Sequence, residues 1–269
     1  MTLDILISTY ARDGIERLDA ASLPTIDNVN YVISWQSPQG DIPSTLRRDD
    51  IKITTLAGKG LSRNRNNSIS ASDADICMIA DDDLTYNPDG IKTLIKAFEA
   101  NPQMDVALVK SSLNSSKIYP DKEIPIFRGK FPKGYYILSF EIAFRRSSLP
   151  ANVRFDTRFG LGAEWYLCGE EEIFVDNLLR AGLHCRFIPV VITSHPHPTT
   201  ASSRLRQAGV QRAMGAVIFR LHPLSAILRL PLKAWRISRA GGGCFLHTLW
   251  NVIIGAISYP FIPNSNDRK

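Results

Sequence analysis

The chain has 269 residues, of which 44% are hydrophobic and 22% are charged. This balance is that of an ordinary globular protein and excludes a fibrous or wholly disordered chain. The charge is uneven: residues 201–269 hold ten Lys/Arg and one acid, a net charge of +9, whereas residues 1–200 hold 22 bases and 25 acids, a net charge of −3. Such a basic tail indicates an anionic partner, either nucleic acid or a membrane surface.

The first 110 residues alternate between strand-like and helix-like patterns. Short, largely apolar runs predict strands at 3–9, 29–35, 51–56, 76–80 and 104–109. The segments between them predict helices at 14–21, 61–72 and 89–100. Alternation of this kind predicts an α/β fold, with a mostly parallel central sheet flanked by helices.

The second part of the chain is less regular. Residues 111–135 predict a loop or hairpin insertion, and residues 136–144 predict a strand. A helix is predicted over 173–181, where Gly182 is its stop signal, and a last strand over 185–192.

The cysteines and the N-terminus bear on the compartment. The four cysteines form no CxxC pair, and no Cys/His spacing is typical of a zinc site. The N-terminal segment MTLDILISTY has no basic start, long apolar stretch or cleavage site, so it predicts a first strand and not a signal peptide. Both features favour a reducing, cytosolic compartment.

The basic tail has the pattern of a membrane-interface segment. Residues 213–237 interleave large apolar side chains with Arg and Lys and contain no acid. This pattern predicts a pair of amphipathic helices, broken at Pro223 and Pro231. Residues 241–263 carry no charge and are long enough to span a bilayer, but their polar residues and glycines favour a segment in the interface. The alternative is a C-terminal helix packed on the domain.

The predicted strand at 76–80 runs directly into Asp81, Asp82 and Asp83. A buried strand that ends in acids puts negative charge at the carboxyl edge of a sheet, where α/β proteins bind ligands. Because like charges this close repel, a hard divalent cation such as Mg²⁺ or Mn²⁺, carrying a phosphate-bearing substrate, suits the cluster. The alternative is a solvated acidic turn that caps the helix beginning near Asn87.

Five motifs follow one another between residues 3 and 200. They are Ser8-Thr9-Tyr10-Ala11-Arg12 after the first strand, Gly60-Leu61-Ser62-Arg63-Asn64-Arg65-Asn66 at a helix start, Asp81-Asp82-Asp83, Phe155-Asp156 followed by Gly169-Glu170-Glu171, and His195 after the last strand. In this order and spacing, the chain resembles glycosyltransferase family 2 of the bacterial polysaccharide type. The resemblance implies the GT-A fold, with a Rossmann-like nucleotide-binding half, and a metal-binding DxD at Asp81 and Asp83.

The resemblance also implies an inverting, metal-dependent transferase. It would move a sugar from a nucleotide diphosphate donor, with a UDP-sugar expected, to a hydroxyl of a glycan or lipid-linked glycan. Mn²⁺ or Mg²⁺ would neutralise charge on the diphosphate. The implied site comprises Glu171 or Glu170 as general base, Thr9, Tyr10, Arg12, Gln36, Lys59, Arg65, Asp81 and Asp82 as donor contacts, and Asp83 with His195 as metal ligands.

Two positions depart from the family pattern. The family's second strand usually ends in an acid that reads the base, and here Gln36 stands in that place. The acidic pair is usually Glu-Asp, whereas here Glu170-Glu171 is followed by Glu172, so the base stays open among the three. Carboxylates are also favourable in any first helical turn, which is the alternative account of all three.

Two different functions compete with the transferase. A nucleotidyltransferase would need a glycine-rich basic loop after the first strand, and residues 11–14 are too sparse for one. A non-enzymatic protein that binds a membrane or nucleic acid would use the basic tail. Because this tail is apolar and is broken at prolines, it favours a membrane as the partner, and no nucleic acid is expected. The roles of two residues also have alternatives. Arg65 could lie on a solvated helix face, and His197 could replace His195 as metal ligand.

The expected organisation has two parts. Residues 1–203 would form the glycosyltransferase domain, and residues 204–269 would form an amphipathic helical extension that associates with a membrane. The expected location is cytoplasmic, peripheral on the cytoplasmic face of the membrane.

Overall fold

The structure, a computed structural model, describes residues 1–20, 23–113, 117–195 and 204–264, with only the backbone of Ala20, Leu113 and His195. Its strands are β1 Leu3–Tyr10, β2 Val29–Gln36, β3 Ile51–Leu56, β4 Ile76–Asp81, β5 Thr85–Tyr86, β6 Val106–Leu113, β7 Ile124–Ile126, β8 Ile142–Arg145 and β9 Cys185–His195. Its α-helices are α1 Ala11–Ala20, α2 Leu61–Ala71, α3 Pro88–Ala100, α4 Glu170–Arg180, α5 Ala208–Leu221, α6 Ala226–Ile237 and α7 Phe245–Ser258.

The chain divides into two compact units, each described by itself. Unit 1 comprises Met1–Lys59, Asn64–Val153 and Leu178–His197. Unit 2 comprises Gly60–Arg63, Arg154–Asn177 and Pro198–Lys269. The C-terminal helices thus group with residues 154–177 in unit 2, and the predicted boundary at residue 203 stays a prediction.

The central sheet of unit 1 begins with four parallel strands. Their order is β3-β2-β1-β4, and the side chains of β1 and β4 are almost all buried. Burial on both faces explains why these strands are continuous apolar runs in the sequence. The register pairs Tyr10 with Gln36 and Ser8 with Asp81, so the carboxyl ends of β1, β2 and β4 meet at one edge.

The rest of the sheet is mixed. β8 lies antiparallel between β4 and β6, and β6 pairs in parallel with β9. Short antiparallel pairings join β5 and β7 to β9. The predicted fold class, an α/β protein with a mostly parallel central sheet flanked by helices, is confirmed.

The predicted strand over 136–144 is wrong for most of its length. Ser139–Glu141 form a 3-10 turn, and only Ile142–Arg145 form the short strand β8. Glu141 is buried in this turn and forms an ion pair with Lys117. The apolar pattern of the segment does not reveal the turn, because Lys117, the ion-pair partner of Glu141, lies outside the segment.

In unit 2, α5 and α7 pack at close range. A Cβ atom at Gly215 would lie 1.9 Å from the backbone oxygen of Val252, and one at Gly255 would lie 1.9 Å from that of Arg212. Glycine is therefore required at both positions, because no larger residue fits without moving the helices. Between them, the side chain of Asn251 on α7 donates to that of buried Gln211 on α5 at 2.8 Å.

The two predicted proline breaks have different outcomes. α5 ends at Leu221, and Pro223 begins a 3-10 turn, as predicted. The predicted break at Pro231 is wrong, since this residue lies inside α6. Although proline removes one backbone donor, tertiary packing holds the helix together across it. That packing uses one buried stripe, Ala226, Leu230, Ala234 and Ile237.

Candidate active site

The acidic turn lies at the carboxyl edge of the parallel strands. Asp81 is the last residue of β4, and Asp82 and Asp83 form the turn that leads to β5. The helix-capping alternative is wrong, because the N-cap of α3 is Asn87, whose side chain accepts from Gly90 N at 3.3 Å. The prediction that the three acids lie at the carboxyl edge of the sheet is confirmed.

Asp82 points into the protein and holds the turn to β1 and α1. Its carboxylate accepts from Thr9 Oγ1 at 2.7 Å and from Arg17 Nη2 at 3.0 Å. Burial raises the pKa of Asp82, while the bonds from Thr9 and Arg17 act in the opposite direction. A Cβ atom at Gly14 would lie 2.0 Å from Thr9 Oγ1, so this contact also requires glycine on α1.

Arg65 compensates the charge of Asp81 from inside the protein. Its Nη2 donates to Asp81 Oδ1 at 2.9 Å and to Ser139 Oγ at 2.8 Å. Ser139 Oγ in turn lies 3.4 Å from Asp81 Oδ2. Arg65 is only 2% exposed, so the alternative of a solvated helix face is wrong. A buried guanidinium of this kind needs a charged partner, and Asp81 is that partner.

A buried ion pair holds the turn that carries Ser139. The side chains of Lys117 and Glu141 are fully buried and paired. Glu141 Oε1 also accepts from Ser111 Oγ at 2.5 Å and from Tyr119 Oη at 2.5 Å. The Lys117 ammonium lies 4.8, 4.5 and 4.8 Å from the ring centres of Tyr119, Tyr135 and Tyr136. No local pattern in the sequence pointed to this network.

The Lys117→Met variant is expected to be strongly destabilised, because it leaves the Glu141 carboxylate buried without its cationic partner. The free energy of unfolding should fall by about 3–5 kcal/mol, as measured by urea denaturation. The control is Lys122→Met, which removes an exposed lysine from the same segment and should change stability by less than about 0.5 kcal/mol. Equal stabilities for the two variants would contradict the assigned role of the pair.

The ends of β1 and β2 carry the other predicted donor contacts. Gln36 is 2% exposed, and its amide nitrogen has no hydrogen-bond partner within the described part of the chain. Tyr10 is exposed at the end of β1, and Arg12 is exposed and bonded to Glu16 at 2.6 Å. Lys59 is exposed in the segment before α2. A buried amide donor without a partner fits a ligand contact, because such a group is costly to bury alone.

Asn64 joins α2 to these strand ends. Its side chain accepts from Ser34 Oγ at 2.5 Å and donates to the backbone oxygen of Thr9 at 2.8 Å. Sequence reasoning included Asn64 in a motif but assigned it no role. It missed Arg17 and Ser139, whose roles depend on contacts distant in sequence.

In unit 2, the three glutamates form the first turn of α4. Gly169 precedes them with φ of +88°, and Glu170 is buried. A Cβ atom at Gly160 would lie 3.2 Å from Glu170 Cδ, so that carboxyl group packs against the loop backbone. Glu171 and Glu172 are half-buried. Of the two predicted bases, Glu171 is thus the more accessible, and the assignment stays a prediction.

The acidic turn carries carboxylate oxygens, which are the type of donor that a hard divalent cation takes in proteins. Within the described residues, which are 1–20, 23–113, 117–195 and 204–264, no group of three or more His, Cys, Asp or Glu side chains could hold a metal ion. The His195 side chain and all of His197 lie outside the described residues. Mg²⁺ sites often use one or two carboxylates together with substrate phosphates, and Asp83 with Asp81 supplies that donor chemistry.

Comparison with known proteins supports the resemblance. Residues 41–155 match the sequence pattern of the family described as Glycosyl transferase family 2. The resemblance stated from the motifs is therefore confirmed. The matched range includes Lys59, Arg65 and the acidic turn, whereas Thr9 and Glu171 lie outside it. No curated protein matches the chain.

Solved structures show the same fold. S. aureus TarS 1–349 in complex with UDP has a TM-score of 0.57 and 13% identity, covering 89% of this chain and 71% of that chain. The same protein in complex with UDP-GlcNAc has a TM-score of 0.57 and 12% identity, covering 96% and 81%. The mannosyltransferase PcManGT from Pyrobaculum calidifontis, in complex with GDP-Man and Mn²⁺, has a TM-score of 0.54 and 14% identity, covering 99% and 77%. The expected GT-A fold is confirmed.

Proposed function

We propose that this chain, a family 2 glycosyltransferase in its sequence pattern and its fold, moves a sugar from a nucleotide diphosphate donor to a hydroxyl group of a glycan or lipid-linked glycan. The observation that carries the proposal is the acidic turn at the carboxyl edge of β1 and β4, within the range that matches the family. Strand ends at this edge are where α/β folds bind nucleotides. The expected donor is a UDP-sugar, and TarS, a structural neighbour, binds one.

On the donor side, the strand ends would bind the nucleotide. Gln36 would donate its buried amide N–H to the base, in place of the acid that the family usually has. Tyr10, Arg12 and Lys59 would contact the nucleotide or its phosphates. The positively charged side chains of Arg12 and Lys59 pair well with phosphate oxygens. Asp83, with His195 as a further candidate ligand, would hold Mg²⁺ or Mn²⁺, which would stabilise negative charge on the diphosphate.

Arg65, Asp81 and Asp82 support this site by a route that differs from the direct donor contacts predicted for them. Arg65 and Asp81 bond to each other, and Asp82 bonds to Thr9 and Arg17. These bonds hold the turn in one shape before the donor arrives, which reduces the ordering needed on binding. Direct donor contacts by Thr9, Arg65, Asp81 and Asp82 stay predictions.

On the acceptor side, Glu171 would act as general base. Its carboxylate would take the proton of the acceptor hydroxyl as that oxygen bonds to the anomeric carbon of the donor sugar. The bond from this carbon to the diphosphate oxygen would break, and the electron pair would leave with the nucleoside diphosphate. One displacement from the opposite face inverts the anomeric centre. Glu170 is the second candidate, although its burial against the loop at Gly160 makes it harder to reach.

The proposal is tested by identifying the product that is released. The chain is incubated with a panel of UDP- and GDP-sugars and Mn²⁺, with and without glycan acceptors, and nucleotides are separated by chromatography. Release of nucleoside diphosphate that depends on Mn²⁺ is the expected result. Release of pyrophosphate from a sugar phosphate and a nucleoside triphosphate would instead indicate the nucleotidyltransferase. If the chain neither releases nor binds a nucleotide, the enzymatic proposal is overturned.

The Gln36→Leu variant is expected to bind UDP and UMP about 2- to 10-fold more weakly, which corresponds to one lost hydrogen bond. Its unfolding temperature should not fall, because the Gln36 amide nitrogen has no partner to lose in the described protein. Calorimetry and thermal unfolding measure the two effects. Gln39→Leu, in the exposed turn after β2, is the control and should bind like the parent. Unchanged UDP binding together with lost stability would show a structural role instead.

A further inference from the structure

The last helices of unit 2 carry apolar side chains that packing does not use. Leu224, before α6, is 100% exposed, and Ile227 and Leu228 are 78% and 77% exposed. Leu232 and Trp235 follow Leu228 at helical spacing and are also exposed. The buried stripe of α6 lies on the opposite side of the helix. α6 thus has two apolar faces, of which the described part of the chain covers only one.

α7 also has an exposed apolar row, and two of its polar residues lie inside. Thr248 and Asn251 are buried, and Asn251 bonds to Gln211 on α5. On the other side, Leu246, Trp250 and Ile257 are 72%, 61% and 62% exposed at helical spacing. A helix that faces water has the reverse distribution, with apolar side chains inside and polar ones outside. The outward side of α7 is therefore suited to an apolar or interfacial environment.

The charges of the same segment have one sign. Residues 204–264 contain eight Arg/Lys and no acid. On α6, Arg229, Lys233 and Arg236 recur at helical spacing beside the apolar row. The Arg239 guanidinium lies 5.2 Å from the ring centre of Trp235. An exposed apolar row flanked by bases is the pattern of helices that lie in the surface of an anionic bilayer.

We propose that an outer face of unit 2 docks on an anionic lipid surface. The outer face consists of exposed apolar and basic side chains of the segment 224–236, together with the exposed apolar row of α7. Those of the segment are Leu224, Ile227, Leu228, Leu232 and Trp235, with Arg229, Lys233 and Arg236. The apolar side chains enter the headgroup region, and the bases attract anionic lipid headgroups. A second copy of the chain fits less well, because both surfaces would bring positive charge without an acid to meet it.

The geometry favours docking on the surface over spanning. Among the described residues, no single helix is long and apolar enough to cross a bilayer. The helices Ala208–Leu221 and Pro223–Gly242 are long and apolar enough to cross a bilayer only when they are taken together, and the pair is bent by 115°. α7 has 14 residues, fewer than the roughly 20 that a spanning helix needs.

Vesicle co-sedimentation of the full chain tests this inference. Vesicles contain phosphatidylcholine alone or with about 30% phosphatidylglycerol, within the range of an anionic membrane. The parent should bind the anionic vesicles more tightly, and binding should weaken as salt rises from about 0.05 to 0.5 M because charge attraction is screened. The variant L228Q/L232Q/W235Q keeps every basic residue and should bind at least about tenfold more weakly.

A second variant and a control separate the two contributions. R229Q/K233Q/R236Q keeps the apolar row and should lose roughly fivefold in affinity for each base removed, together with most of the salt dependence. The control I118Q/F127Q replaces two exposed apolar side chains of unit 1 and should bind vesicles like the parent. All variants should keep an unfolding temperature close to that of the parent, since none of the changed side chains is buried.

Two results would overturn the inference. One is failure of the parent to sediment with either type of vesicle. The other is parental vesicle binding by L228Q/L232Q/W235Q accompanied by a change in oligomeric state in sedimentation velocity, which would make the outer face an interface between copies. Nucleotide binding measured in solution on the same proteins reports on the proposed function separately, so failure of either conclusion does not affect the other.

Discussion

The Asp83→Asn variant is expected to lose roughly 10²–10³-fold in turnover of the nucleotide sugar and to lose Mn²⁺-dependent binding of UDP. Asparagine keeps the size of the side chain but removes the negative charge, so it holds a divalent cation poorly. The turn should stay folded, because Asp82 and Asp81 keep their bonds to Thr9, Arg17 and Arg65 in this variant. Product release and calorimetric UDP titrations with Mn²⁺ and with EDTA measure the effects.

The control for this variant is Asp27→Asn, which removes an exposed acid from the turn before the amino end of β2, whereas the site lies at the carboxyl ends of the strands. It should keep parental turnover and parental Mn²⁺ dependence. Binding of UMP, which lacks the diphosphate, should change little in Asp83→Asn, because the base contact lies at Gln36. Full activity with unchanged Mn²⁺ dependence in Asp83→Asn would remove this residue from the proposed metal site.

The Glu171→Gln variant is expected to lower turnover by roughly 10²–10⁴-fold while donor affinity changes little. Glutamine has the shape of glutamate but cannot take the acceptor proton, and general base catalysis contributes about this much. The first turn of α4 should remain helical, since Glu170 and Glu172 still provide favourable charge there. Steady-state kinetics with a saturating acceptor, together with UDP titrations, separate turnover from donor binding.

Neighbours in the same helical turn provide matched controls. Glu172→Gln and Glu170→Gln make the identical chemical change one residue away on either side. Both should keep turnover within about tenfold of the parent if Glu171 is the base. A large loss confined to Glu170→Gln would move the role to that residue. Near-parental turnover in all three variants would exclude general base catalysis by this turn.

The family resemblance and much of the fold could be predicted from the sequence. The buried strands are continuous apolar runs, and the segments between them form helices close to the predicted bounds. The edge of the sheet at which Asp81–Asp83 lie also followed from the sequence, since the acids come directly after a buried strand. The segment 136–144 was mispredicted because its apolar residues favour a strand, whereas the buried pair of Glu141 and Lys117 stabilises a turn.

The sequence by itself determined the order of strands and helices, the residue types at the sheet edge and the sign of charge in the C-terminal segment. These features depend on neighbours in the chain or on local periodicity. Only the tertiary structure decided that Asp82 bonds inward to Thr9 and Arg17, that Arg65 is buried against Asp81, and which side of α6 is left uncovered. Each of these depends on contacts between residues distant in the sequence, and periodicity alone does not reveal which side of a two-faced apolar helix the protein will bury.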